Sequence, residues 1–186
     1  SAWLGDGLVS TLLADSGMNN VDTDDLGEGP DGYVVDRPMA PRAMLDALSL
    51  AYAFEAIEQD GVLRFKQRGG RPVAELTEDD LVLPEEGAPA TLTRTQESEL
   101  PRAVSLSYTD GGNDYQKAAA LSRRLTVGAT RTSRADLAVV TYDSAAERRA
   151  EIWLQDLWAG RESAQFVLPP SKLALAPGDV AALTVN

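Results

Sequence analysis

The 186-residue chain has no cysteine and no histidine. The first absence excludes a disulfide framework and thiolate chemistry. Both together exclude Ser-His-Asp and Cys-His triads within the chain. Zinc sites draw on Cys or His in nearly every case, so Asp, Glu, Lys and Tyr are the groups left for acid–base work. No run of 18 apolar residues occurs, so no segment reads as a membrane-spanning helix. No basic region followed by an apolar core opens the sequence, and no signal peptide is read there. The start, Ser1-Ala2 without Met, reads as a cut inside a longer protein or a cloning scar. Basic residues are also short: 17 against 29 acidic, a net charge of −12. Such a surface repels phosphate backbones and argues against nucleic-acid binding. The excess is uneven, with 20 acidic and 7 basic residues over 1–100 but 9 and 10 over 101–186.

What is present is ordinary globular composition, 44% hydrophobic and 25% charged. The length suffices for one large domain or two small ones with a sizeable core. The most informative stretch is Leu100 to Gln116. Val104, Leu106 and Tyr108 alternate with Ala103, Ser105, Ser107 and Thr109. Period two over β-branched and aromatic residues predicts a half-buried strand. Asp110-Gly111-Gly112-Asn113-Asp114 then supplies a wide polar hairpin tip. Lys117 to Val127 suits helix by the propensity of its alanines; its position directly after the tip favours a long strand.

The remaining elements follow in order. Trp3, Leu4, Leu8, Leu12 and Leu13 predict a helix over about 3–15, ending at Gly17 or Asn19-Asn20. Tyr33-Val34-Val35 reads as a short strand, and Pro41 starts a helix with Met44, Leu45, Leu48, Ala51 and Tyr52 on one face. Asp60-Gly61 joins Phe54–Gln59 to Val62–Arg68 in a tight hairpin with Leu63 and Phe65 toward the core. Short strands are expected at 73–76, 91–95, 136–142, 163–168 and 180–185. Pro177-Gly178 marks a type II turn. Ser144 and Glu147 have capping-box spacing at the head of a helix over 144–160, with Ala146, Ala150, Trp153, Leu154, Leu157 and Trp158 on its apolar face and Gly160 at its end. The Pro84 to Pro89 loop is the best boundary. It divides the chain into 1–88, a helix and β-hairpin unit with acidic loops, and 89–186, a partly closed β-barrel-like unit with a covering helix. The class is α+β with about three helices.

No motif selects a catalytic, cofactor or metal site. Asp110 with Asp114, and Asp79 with Asp80, could serve as paired carboxylates, but no spacing singles out a pair among 29 acids. The acidic run Asp22 to Asp31 fails the calcium-loop pattern at Leu26 and Tyr33 and matches only at Gly27, which favours a solvated loop. Gly5-Asp6-Gly7 and Gly111-Gly112 lack the strand-to-helix setting of a phosphate loop. Arg123, Arg124, Arg131 and Arg134 form a basic cluster that either meets acidic loops, in the same chain or a neighbour, or is a plain solvated face.

Four passages, in this order, resemble a family of phage tail proteins: the tail-tip or baseplate hub proteins of siphovirus-like particles and gene transfer agents. They are Tyr33 to Arg42 with the Asp60-Gly61 hairpin; Leu100 to Tyr108 with Asp114-Tyr115-Gln116; the helix Ala145 to Trp158; and Phe166 to Pro170 with Leu175 to Val180. The resemblance implies a structural virion component of the tail, assembled in the bacterial cytoplasm. Its β-barrel-like elements self-associate, usually as a trimer, around the tail axis and join the tube to the tip. It implies no catalytic residues and no enzyme activity. A strongly acidic face would repel DNA passing a lumen; acidic loops lying away from any channel would end that reading. The alternative is a carbohydrate- or receptor-binding module, which a concave site lined by Trp3, Trp153 or Trp158 would favour.

Overall fold

A computed structural model describes residues 4–35, 38–83, 88–126 and 128–184. The central element is the predicted one. Strand β7 (Pro101–Asp110) buries Val104, Leu106 and Tyr108 to 1% exposure or less. It pairs antiparallel with β8 (Gln116–Arg123), so the 117–123 stretch is strand and not helix. On its other edge it pairs parallel with β9 (Arg131–Thr141), which in turn pairs antiparallel with β2 (Gly32–Tyr33). The sheet order is β2-β9-β7-β8. Both β8 and β9 therefore meet the start of β7 at the Pro101 end, and the chain between them crosses that end.

Two helices cover this sheet. Helix α2 (Pro41–Tyr52) begins at Pro41, where a missing N–H costs nothing. It buries Leu45, Leu48, Ala51 and Tyr52 and packs on β9. Helix α3 (Asp143–Ala159) buries Ala146, Ala150, Trp153, Leu154 and Trp158 against β7 and β8 and touches α2. Its first turn differs from the expected capping box. The helix starts one residue earlier and has no side-chain cap bond. Asp143 instead accepts a hydrogen bond at 2.9 Å from the Tyr108 hydroxyl, tying the helix start to the sheet. Gly160 ends the helix at φ −67°, so it supplies no left-handed cap.

The amino-terminal segment is a π-helical turn, Leu4–Val9, running into α1 (Ser10–Ala14), with Val9 and Leu13 fully buried. A second sheet, β1-β4-β3, is built on the hairpin β3 (Phe54–Gln59) and β4 (Val62–Gln67), with β1 (Val21–Asp22) parallel to β4. Asp60 and Gly61 have φ of +54° and +75°, the two positive values that match a tight turn to strand twist. Phe65 is buried edge-on to Phe54.

Two small sheets complete the chain. β5 (Ala74–Thr77) pairs parallel with β11 (Ala181–Thr184), and β6 (Ala90–Arg94) pairs antiparallel with β10 (Glu162–Phe166). Two pairings, β2 with β9 and β5 with β11, cross residue 88. Among the described residues no sheet closes on itself, and the α+β class with three α-helices is as the sequence indicated.

Candidate functional site

One member of each carboxylate pair, Asp110 and Asp80, is engaged in local structure. Asp110 accepts from Gly112 N at 2.9 Å and closes the hairpin tip. The positive φ values there fall on Asp114 (+48°) and Tyr115 (+55°), and not on the two glycines. Asp80 accepts from Thr77 N at 2.9 Å and from the Thr77 hydroxyl at 3.1 Å, and pairs with Lys172 at 2.9 Å. The Thr77 amide, then Lys172, lower its pKa to about 2. An acid held that low has no proton to give near neutrality.

The other candidates are placed as follows. Asp22 lies 3.8 Å from Arg64 and accepts from Asp24 N at 3.3 Å. Among the described residues no three Asp or Glu converge as a metal cluster. Gly5-Asp6-Gly7 lies in the π-helical turn. Of the basic cluster, Arg124 sits 4.4 Å over the Trp158 ring and Arg131 reaches Glu99 O at 3.4 Å. Arg123 and Arg134 are exposed on β8 and β9. None of these four arginines forms an ion pair among the described residues. Trp153 and Trp158 are 7% and 6% exposed, and Trp158 Nε1 donates to Pro101 O at 2.9 Å. They are core residues and no concave platform; Trp3 lies outside the described residues.

Two features emerge that the sequence did not single out. The first is the two-stranded sheet β6/β10, nearly all of whose residues are exposed, with Leu92 at 73%. Val167 and Leu83, beside it, are 63% and 73% exposed. Isolated two-stranded sheets are marginal in water and keep open edges.

The second is a cleft of about 520 Å³ between the end of α2 and the first turns of α3. The end of α2 turns sharply because Ala53 takes φ +51°, and Gln67 Nε2 donates to the carbonyls of Tyr52 and Ala53 at 2.7 and 3.0 Å. Arg149 lies with its guanidinium 3.6 Å over the Tyr52 ring. Burial pushes the Tyr52 phenol up to about 12, against the opposing pull of Arg149. Burial likewise lowers the pKa of Arg149. Arg148 and Ser144 line the same cleft, with Glu28 opposite. Arg68 also lines it but is held by Asp156 and, at 2.8 Å, by Glu55. Tyr52 read in sequence only as part of an apolar stripe. Its arginine partner comes from a different helix, so no local spacing could announce it.

The chain is thus an acidic α+β module with open sheet edges. The family described as "Putative phage tail protein" matches residues 40–186, and the chain belongs to it. A chain from the virion of a native gene transfer agent particle is 32% identical over 97% of this chain, with a TM-score of 0.89. This chain spans only 41% of that relative's length. The tail protein from Neisseria meningitidis MC58 gives 12% identity and a TM-score of 0.61, covering 99% of this chain and 57% of that one. The 43 kDa tail protein of prophage MuSo2 from Shewanella oneidensis gives 16% and 0.54, covering 98% and 54%. These two share the fold. No curated protein matches.

Proposed function

We propose that the chain is a structural, non-catalytic module of a phage-like tail tip. In this reading it is a baseplate-hub segment that is assembled in the bacterial cytoplasm, self-associates as a trimer around the tail axis, and joins the tail tube to the tip. The observation that carries it is the 32% identity and 0.89 TM-score to a chain of a gene transfer agent virion over nearly the whole length. The open edges of β6/β10 and β5/β11 support it, since strand edges are ready-made docking elements for neighbouring subunits. The division at residue 88 is retained as two β-rich units of one hub segment. A carbohydrate-binding reading is left without exposed tryptophans at positions 153 and 158.

The test has two arms. Light scattering of the purified chain over a concentration series should give a trimer mass at low micromolar concentration. Gold-labelled antibody on particles from the producing strain should mark the distal tail end. Label along the tube, or particles without label, would overturn the tail-tip placement.

A further inference from the structure

Arg149 stands apart among the half-buried cations. Arg64, Lys66, Arg68, Arg161 and Lys172 each have a carboxylate oxygen within 4.0 Å. Arg149, among the described residues, has none. Its Nε is covered and makes no hydrogen bond. The Tyr52 ring beneath it is 4% exposed, and its hydroxyl also lacks a partner. A covered charged donor without an acceptor keeps a desolvation penalty that the Tyr52 ring face offsets only in part. The chain holds 29 acids and, among the described residues, has met every other half-buried cation with one of them.

We propose that the cleft between α2 and α3 binds a carboxylate carried on an acidic segment of a protein partner. The planar guanidinium of Arg149 offers the fork that a carboxylate fits. Tyr52 is a positioning residue, its ring face lying 3.6 Å from the Arg149 guanidinium carbon. Arg148 on the cleft wall has no ion pair among the described residues, and Ser144 and Ala145 bring the positive end of the 17-residue α3 to the same cleft. Arg68 adds no free charge, being held by Glu55 and Asp156. Glu28, on the cleft wall, and Asp31 also act on Arg149 and oppose the compact double charge of phosphate more than single carboxylates spaced along a peptide. The cleft exceeds what one carboxylate needs, and Ile152, 42% exposed, gives an apolar wall for the stem of a glutamate and its neighbours. That favours a peptide over a free acid. The inference rests on this cleft alone and stands apart from the tail-tip placement.

The test follows the side-chain Nε resonance of Arg149 by ¹⁵N NMR in the full chain. The probes, at pH 7 and constant ionic strength, are a tri-glutamate peptide, acetate and inorganic phosphate. The expected result is a saturable shift with tri-glutamate, at least tenfold tighter than with acetate or phosphate. Binding, read by backbone amide shifts around Ser144, should weaken at least tenfold in R149Q and stay within threefold of the unmodified chain in R123Q. If R149Q does not fold, R149K keeps the charge without the fork and should show the same loss. Y52F keeps the ring face and removes the unpartnered hydroxyl, so binding should hold while the melting temperature stays level or rises. No saturable shift, an unchanged affinity in R149Q or R149K, or acetate or phosphate binding as tightly as the peptide would each overturn the proposal.

Discussion

Gly178→Ala puts a methyl group into space that neighbouring side chains already fill. Gly178 is the third residue of a turn closed by Asp179 N–H on Ala176 O at 3.1 Å, and its φ is +80°. A Cβ there would sit 2.4 Å from Ile57 Cδ1 and 3.2 Å from Lys66 Cδ. The left-handed backbone costs alanine about 1 kcal/mol more than glycine. Ile57 can yield by leaving its rotamer, at about 1 kcal/mol. The total, about 2 kcal/mol, falls on one seam, where the turn is clipped to the β3–β4 hairpin by Lys66 and Asp179 at 2.6 Å. Just beyond it Val73 N–H donates to Val180 O at 2.8 Å. Native-state hydrogen exchange should therefore show Val73 and the β5 amides exchanging about 30-fold faster in Gly178→Ala. Gly61→Ala is the control. Its φ is +75° with nothing within 4 Å of the added Cβ. It should loosen only its own hairpin, about fivefold. Equal exchange at Val73 in Gly178→Ala and the unmodified chain would refute the reasoning, as would an equal effect from Gly61→Ala.

Leu106 is fully buried under α3, so Leu106→Ala should cost about 3–5 kcal/mol in urea unfolding; a loss below about 1 kcal/mol would mean the core is not sealed there. Asp80 has its folded pKa lowered from 3.8 to about 2, so the stability it contributes is present above pH ~4 and lost as pH falls toward 2. Lys172→Met should raise that pKa part of the way, the Thr77 amide still holding it down, as read by carboxyl NMR titration. Tyr108 is raised to about 12, first by burial and then by its bond to Asp143. Its contribution is therefore present below pH ~10 and lost as pH rises toward 12. Tyr108→Phe should remove one late step from the ultraviolet alkaline titration and cost about 0.5–1.5 kcal/mol, the net worth of one hydrogen bond, because the exposed Asp143 carboxylate can turn to water.

Where local pattern fixes the answer, the sequence was readable. Val104, Leu106 and Tyr108 alternate because one face of β7 is buried, and Asp60-Gly61 makes a turn because both positions need positive φ. The buried faces of α2 and α3 follow from helical spacing for the same reason. What could not be read was pairing between distant segments. Nothing near Arg131 announces that β9 joins β7 in parallel, or that Gly32 and Tyr33 extend the same sheet. Competition between side chains also went unseen. Ser144 has the spacing of a cap, but Asp143 was drawn to a tyrosine hydroxyl supplied by the sheet. The strain at the hairpin tip fell on Asp114 and Tyr115 although two glycines stood beside them. The Arg149–Tyr52 contact joins two helices and leaves no trace in either one alone.

The parallel partner of β7 has a consequence for how the protein is made. β7 leaves the ribosome with an apolar face and two open edges. The first edge is covered once Arg123 has been added, the second only when β9 ends at Thr141, and the face only when α3 ends at Ala159. At synthesis rates of about 5–20 residues per second, that face waits roughly 2–10 s after Asp110. During that interval Val104, Leu106 and Tyr108 are exposed to whatever else is being synthesised nearby. Other copies of the same nascent strand are among the candidates, so the demand for chaperones in producing cells should fall on this window of translation.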